Sequence, residues 1–141
     1  MKKNIFIILI VLVWNIFYTD CFSQVNSAKS SGLFFDTQNL SSITELNLSL
    51  KDINTLPVEV FEMKNLHILD ISNNYLSAVP VEIKNLKELK VLMLYGNNIY
   101  ELPLEISRLK FLKEIYLDYY IWCYRLEELR TLTNARIILV Q

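Results

Sequence analysis

The sequence predicts a curved α/β solenoid, with a parallel sheet on its concave face and helical or 3₁₀ turns on its convex face. Three observations carry that expectation. The only prolines, Pro57, Pro80 and Pro103, stand 23 residues apart. Two residues after each comes an acid (Glu59, Glu82, Glu105), then a β-branched residue (Val60, Ile83, Ile106). An apolar pattern of the form L-x-x-L-x-L-x-x-N-x-L recurs at the same period. Self-similarity at a fixed period of about 20–50 residues marks a stacked array, in which no unit buries its apolar side alone and neighbours supply the core.

In chain order, the first element is a leader. Lys2 and Lys3 precede an apolar run from Ile5 to Phe17, broken by Asn15, which exits through Thr19-Asp20-Cys21-Phe22-Ser23-Gln24. A basic start, an apolar stretch of about 7–15 residues and a small-residue exit predict a secretory signal peptide over residues 1–23, cut after Ser23. Two alternatives stay open. An uncleaved N-terminal anchor needs about 20 apolar residues, more than this run offers. A lipoprotein at Cys21 wants a small residue directly before the cysteine, where Asp20 stands after Tyr18 and Thr19. The expected location is therefore outside the cytoplasm: secreted, periplasmic or at the cell surface.

Removing the leader takes away Lys2, Lys3 and Asp20 and leaves a mildly acidic chain. That balance provides no electrostatic footprint for nucleic acid and no polybasic patch for anionic lipid, and no membrane insertion is expected after cleavage. Cys123 is the single cysteine left, so no internal disulfide can form and stability must come from packing.

Residues 24–42 are expected to be a lead-in followed by a half-repeat cap. Ser27, Lys29, Ser30, Ser31 and Gly32 suit a flexible approach. One period back from Leu56, Pro57 and Met63 lie Leu33, Phe34 and Leu40, which predicts a helical turn beginning near Asp36 that covers Ile43 and Leu46. Four repeats follow over 43–134, as 43–65, 66–88, 89–111 and 112–134. The second and third hold the pattern in full, as Leu66, Leu69, Ile71, Asn74, Leu76 and Leu89, Leu92, Leu94, Asn97, Ile99. The first keeps Ile43, Leu46, Leu48 and Ile53 but has Lys51 in place of Asn.

The spacing has a mechanical meaning. In L-x-L the two apolar side chains point to one side of a strand, because the pleat has period two, and the residues between them point to the other. Asn74 and Asn97 fall where the chain leaves the strand, and a buried amide there can satisfy the backbone groups of the bend. Proline, with its φ already fixed, begins the return turn, and the glutamate inside it complements the turn's positive end.

In the fourth repeat Leu112, Ile115 and Leu117 hold the strand, while Tyr120, Trp122 and Leu126 replace the Asn, the next Leu and the Pro. Leu126, Leu129 and Leu132 predict a helix over 125–132. One period on, Ala135, Ile138 and Val140 match the start of a fifth repeat, so residues 135–141 are expected to form a terminal strand with Ile138 and Val140 facing inward. Such a strand leaves a hydrogen-bonding edge open unless something covers it, and the edge is either tolerated because it is short or used by a partner.

Residues 43–134 resemble the leucine-rich-repeat family, specifically its 23-residue L-P-x-E-I type, found in Ras-suppressor-like, plant intracellular and many bacterial proteins. Leu56-Pro57-Val58-Glu59-Val60 and Leu102-Pro103-Leu104-Glu105-Ile106 carry the likeness best. The resemblance implies a binding scaffold with no shared active site. The leader is similar in composition to those of exported Bacteroidetes-type bacterial proteins, which implies a place in the bacterial envelope.

Catalysis is not expected. His67 is the only histidine and fits a surface position at the sheet margin. Cys123 has no second histidine or patterned carboxylate to activate it and fits an apolar position in the C-terminal cap, or else a thiol for an intermolecular bond. With two glycines in the chain, no Gly-rich phosphate loop or Gly-x-Ser-x-Gly elbow can be built. Catalytic, cofactor and metal sites are all expected to be none. The sequons Asn39-Leu40-Ser41 and Asn47-Leu48-Ser49 fit chance occurrence in an Asn-rich repeat.

The informative surface is the sheet's outward face. Stepping by 23 gives three columns: Asn47, Asp70, Met93, Tyr116, Leu139; Ser49, Ser72, Tyr95, Asp118; and Glu45, Ile68, Val91, Glu114, Ile137. Thr44, His67, Lys90, Lys113 and Arg136 form a basic margin. The C-terminal half thereby collects Met93, Tyr95, Tyr116 and Tyr119 near Asp70 and Asp118, and Tyr and Met are enriched at protein interfaces. The bland alternative is that cross-strand aromatics stabilise a small sheet. These six residues are the candidate partner-binding set for a protein or peptide ligand. A second candidate function is self-assembly through the apolar columns or the open strand edge, as an oligomeric envelope component.

Overall fold

Each of the first three repeats contributes one short strand, a tight bend and one 3₁₀ turn, and stacking aligns like with like. The computed structural model describes residues 39–119, 130–131 and 133–141. The leader, most of the expected half-repeat, Tyr120, Trp122, Cys123 and most of the expected helix over 125–132 lie outside the described residues. The strands are β1 (Glu45–Asn47), β2 (Ile68–Asp70), β3 (Val91–Met93), β4 (Glu114–Asp118) and β5 (Arg136–Val140). They form one sheet in the order β1-β2-β3-β4-β5, with every neighbouring pair parallel. Arg130 and Thr131 are helical. All these elements belong to one unit, Phe35–Gln141.

The core is the ladder of inward positions. Leu66, Leu69, Ile71, Leu89, Leu92, Leu94, Ile115 and Leu117 are fully buried, as are Val60, Ile83 and Ile106 from the return turns. This is an α/β leucine-rich-repeat solenoid built by stacking layers. Each buried leucine or isoleucine contributes about 1.5–3 kcal/mol on removal from water, and only because the repeat on either side covers it.

The return turns are 3₁₀ at Val58–Glu62, Val81–Asn85 and Leu104–Arg108. The prolines stand one residue before each turn, with φ between −59° and −68° and extended ψ, and their carbonyls accept from the N–H three residues on. Proline therefore sets the corner from strand direction into turn. At the N-terminal end a short 3₁₀ turn, Leu40–Ser42, buries Leu40 but leaves Ile43 and Leu46 half-buried.

The fifth strand corrects the expected register. β1 to β4 pair at a step of 23 (Leu46 with Leu69, Leu69 with Leu92, Leu92 with Ile115), but Ile115 pairs with Ile137 and Leu117 with Leu139, a step of 22. A one-residue slip moves every side chain to the opposite face. Ile137 and Leu139 therefore face inward, while Arg136, Ile138 and Val140 join the outward face. The columns extended to Leu139 and Ile137 end instead at Ile138 and Arg136.

Candidate functional site: the outward face of the sheet

Three rows cross the outward face. The first is Glu45, Ile68, Val91, Glu114 and Arg136; the second is Asn47, Asp70, Met93, Tyr116 and Ile138; Asp118 and Val140 end the third, which Tyr95 and Ser72 continue beyond the shorter strands. Backbone bonds from Leu50 N–H to Ser72 O and from Asn73 N–H to Tyr95 O extend the ladder there.

The N-terminal part of this face is occupied by its own hydrogen bonds. Asn47 Oδ1 accepts from Ser49 N–H at 2.8 Å and Oγ–H at 2.7 Å. Asp70 Oδ1 repeats the motif with Ser72, accepting from N–H at 3.0 Å and Oγ–H at 2.6 Å. A short acceptor side chain bonding two residues ahead holds the strand exit in a bend. Ser72 is fully buried, whereas Ser49, with the same bonds, is half-buried. Asp70 is thus a structural acceptor as well as a surface carboxylate.

The C-terminal part is apolar and aromatic. Met93 lies in register between Asp70 and Tyr116, and Tyr116 beside Ile138; all but Asp70 present half-exposed apolar surface. Tyr95 is half-exposed in the next row. Tyr116 Oη donates to Glu114 Oε2 at 3.0 Å, and Arg136 Nη2 donates to Glu114 Oε1. The Arg136 guanidinium, followed by the Tyr116 hydroxyl, holds the Glu114 carboxyl below its ordinary value. The same bond to Glu114 pushes the Tyr116 phenol above its ordinary value. Asp118 accepts from Gly96 N–H with both oxygens, at 3.0 and 2.9 Å.

The structure thus brings Asp70, Met93 and Tyr116 into one row and Tyr95 with Asp118 into the next. Tyr119 belongs to neither row. It is exposed and helical, one period after Gly96, where the equivalent residues of the earlier repeats form a bend. Arg136, Ile138 and Val140 are members of the face that a step of 23 misplaces, and Glu114 stands in the column that step gives it but outside the candidate set. The charge match of Glu114 with Arg136 at a step of 22 was the available signal.

Beneath the face, the asparagines join consecutive repeats. Asn74 Oδ1 accepts from Lys51 and Ile53 N–H of the preceding repeat, and Nδ2 lies within hydrogen-bonding distance of Leu48, Ile71 and Ser72 carbonyls. Asn97 does the same from Leu76 N–H to Ile71, Leu94 and Tyr95 carbonyls. The amide duty points backwards to the repeat before, which explains why the first repeat tolerates Lys51. Asn74 already serves its bend.

Among the described residues, no group of three or more His, Cys, Asp or Glu could hold a metal ion. His67 sits half-buried at the margin, its backbone bonded to Thr44 and Lys90. No helix among them is long and apolar enough to cross a membrane.

A parallel sheet of one strand per repeat, closed by proline-led 3₁₀ turns and asparagine ladders, defines a repeat solenoid whose free surface is a sheet face. The chain belongs to the leucine-rich-repeat family: the family model for a leucine-rich repeat region matches residues 19–141. A leucine-rich-repeat protein of Leptospira interrogans has a similar solved structure, with TM-score 0.62 and 35% identity over 74% of this chain. The match spans 28% of that longer chain. No curated protein matches the sequence. The fold is that of a protein-interaction scaffold, and the family is typically non-enzymatic.

Proposed function

We propose that this chain is an exported binding module that engages a protein or peptide through the C-terminal half of its outward sheet face. The observation that carries the reading is the change of character along the face. Asn47 and Asp70 spend their acceptors on Ser49 and Ser72, whereas Met93, Tyr95, Tyr116, Ile138 and Val140 present half-exposed apolar surface, with Tyr116 bonded to Glu114 through its hydroxyl. Aromatic and Met side chains with a charged rim, here Asp118 and the Glu114–Arg136 pair, suit a protein interface with an apolar centre.

The test is Tyr95→Ala and Tyr116→Ala, made singly. Both are expected to keep a cooperative melting transition, lowered slightly in Tyr116→Ala by loss of the bond to Glu114, while weakening capture of a partner from extracellular or envelope fractions of the source cells. Loss of folding in both variants would assign the tyrosines to sheet stability instead. The export half of the reading is tested by cell fractionation and N-terminal sequencing. A mature protein starting at Gln24 supports signal cleavage, one starting at a lipid-modified Cys21 makes it a lipoprotein, and an intact Met1 in the membrane fraction makes it anchored.

A further inference from the structure

The two outer strands of the sheet differ in kind. β1 has three residues and carries Glu45 and Asn47, a short polar edge of the sort that discourages pairing. β5 has five, Arg-Ile-Ile-Leu-Val, without Lys, Pro or Gly to blunt it. Its inward Ile137 and Leu139 are only half-buried, while their counterparts Ile115 and Leu117 on β4 are fully buried. We propose that β5 pairs antiparallel with β5 of a second copy of this chain, joining two sheets about a twofold axis at Ile138.

The backbone fixes which groups are available. Arg136 N–H donates to Lys113 O, and the parallel ladder alternates, so residues 136, 138 and 140 bond to β4 while 137 and 139 direct their N–H and C=O outward. A closed pair of identical strands must be isologous, which makes them antiparallel. Centring the axis on Ile138 places Ile137 opposite Leu139 of the second copy, and the reverse. Those are the residues whose backbone groups point away from β4 and meet no partner among the described residues, and in an antiparallel ladder each such pair exchanges two hydrogen bonds. The Ile138 residues then form the close, non-hydrogen-bonded pair, and the inward Ile137 and Leu139 side chains lie beside one another on the core side.

Charge agrees with this register. Arg136 faces Val140 of the second copy, so no like charges oppose. One strand beyond Val140 lies Asp118, about 10 Å away over two strand spacings, within reach of a long arginine. Arg136 would then stand between Glu114 of its own sheet and Asp118 of the second copy. A five-residue edge buries less than the roughly 1,200 Å² of a standard interface, so the dimer is weak and concentration-dependent.

The experiment is sedimentation velocity of the full chain over a wide concentration range, with two variants. Wild type is expected to shift from monomer to dimer. Ile138→Lys puts two ammonium groups side by side at a position already half-exposed, and should raise the dissociation constant roughly 100-fold or more with the circular dichroism unchanged. In a chain with Cys21 and Cys123 changed to Ser, Ile138→Cys should cross-link to a covalent dimer under mild oxidation, because the paired Cα atoms stand about 4.5 Å apart. Arg136→Cys, away from the axis, should not. A chain that stays monomeric, a dimer indifferent to Ile138→Lys, or cross-linking equal at both positions would overturn the proposal. Capture of an unrelated extended peptide at β5 by a monomeric chain would give the edge to a different partner and overturn it as well.

Discussion

The first two repeats and the last two pair their strands in one register but use their variable positions differently. In the N-terminal half the outward side chains at the strand exits are spent on the chain itself, in the Asn47–Ser49 and Asp70–Ser72 motifs. In the C-terminal half the corresponding positions are Met93 with Tyr95 and Tyr116 with Asp118, and the bend is held from the neighbouring strand by the Asp118 carboxylate on Gly96 N–H. Where a neighbour holds the bend, the positions on that strand are released from doing so. A repeat protein can therefore vary its surface only where its bends have another support.

The bend residue shows the same contrast. Leu50, Asn73 and Gly96 occupy equivalent positions, with φ of 56°, 53° and 69°. Only glycine adopts this left-handed region without strain. Asn tolerates it better than most residues, and Leu50 sits there while 74% exposed, with no packing to compensate.

The largest expected effect is at the asparagine ladder. Asn74→Leu strips buried backbone groups in two repeats of their partners and should cost about 3–5 kcal/mol in urea unfolding. Asn97→Leu, at a part-buried site, should cost less, and equal losses would show the two halves to be supported alike. Next comes Gly96→Ala. An added Cβ would meet Asn73 Oδ1 at 2.3 Å and Asn73 Cα at 3.0 Å, on a backbone already at positive φ. A loss of about 2 kcal/mol is expected by the same assay.

A smaller effect of opposite sign is expected for Leu50→Gly. Relief of the left-handed strain should raise stability by about 0.5–1 kcal/mol, and a loss would mean that Leu50 packs on something outside the described residues. The smallest effect is the pH dependence of the Glu114 cluster. Its folded value is lowered, so its contribution is present above the unfolded carboxylate value of about 4.3 and is lost as pH falls through the folded value. Tyr116, raised by its bond to Glu114, contributes below the unfolded phenol value of about 10 and loses that contribution as pH rises through its folded value. Glu114→Gln should flatten the acid limb of the melting profile relative to wild type, and should also reduce the alkaline shift.

Much of the fold was legible because its causes are periodic. The proline spacing gave the corners, the leucine spacing gave the core, and the asparagines at Asn74 and Asn97 marked the bends. The candidate face was legible only in part. Met93, Tyr116, Tyr95 and Asp118 fall into rows as the period implies, but Tyr119 is helical and outside the rows, and Arg136, Ile138 and Val140 lie one column or one face away from where a step of 23 places them.

What the sequence determined by itself is the solenoid and its layers, since a repeat of apolar positions at a fixed step has one way to bury them. What only the tertiary structure decided is the last register and the fate of the polar atoms. The run Ile137-Ile138-Leu139-Val140 is apolar at every position, so its pattern does not distinguish inward from outward. The step of 22 became visible through the backbone pairing and the bond between Arg136 and Glu114. Whether Asp70 and Asp118 are free or already bonded depends on which backbone N–H the fold brings within 3 Å, and that is a property of the stack and not of the repeat.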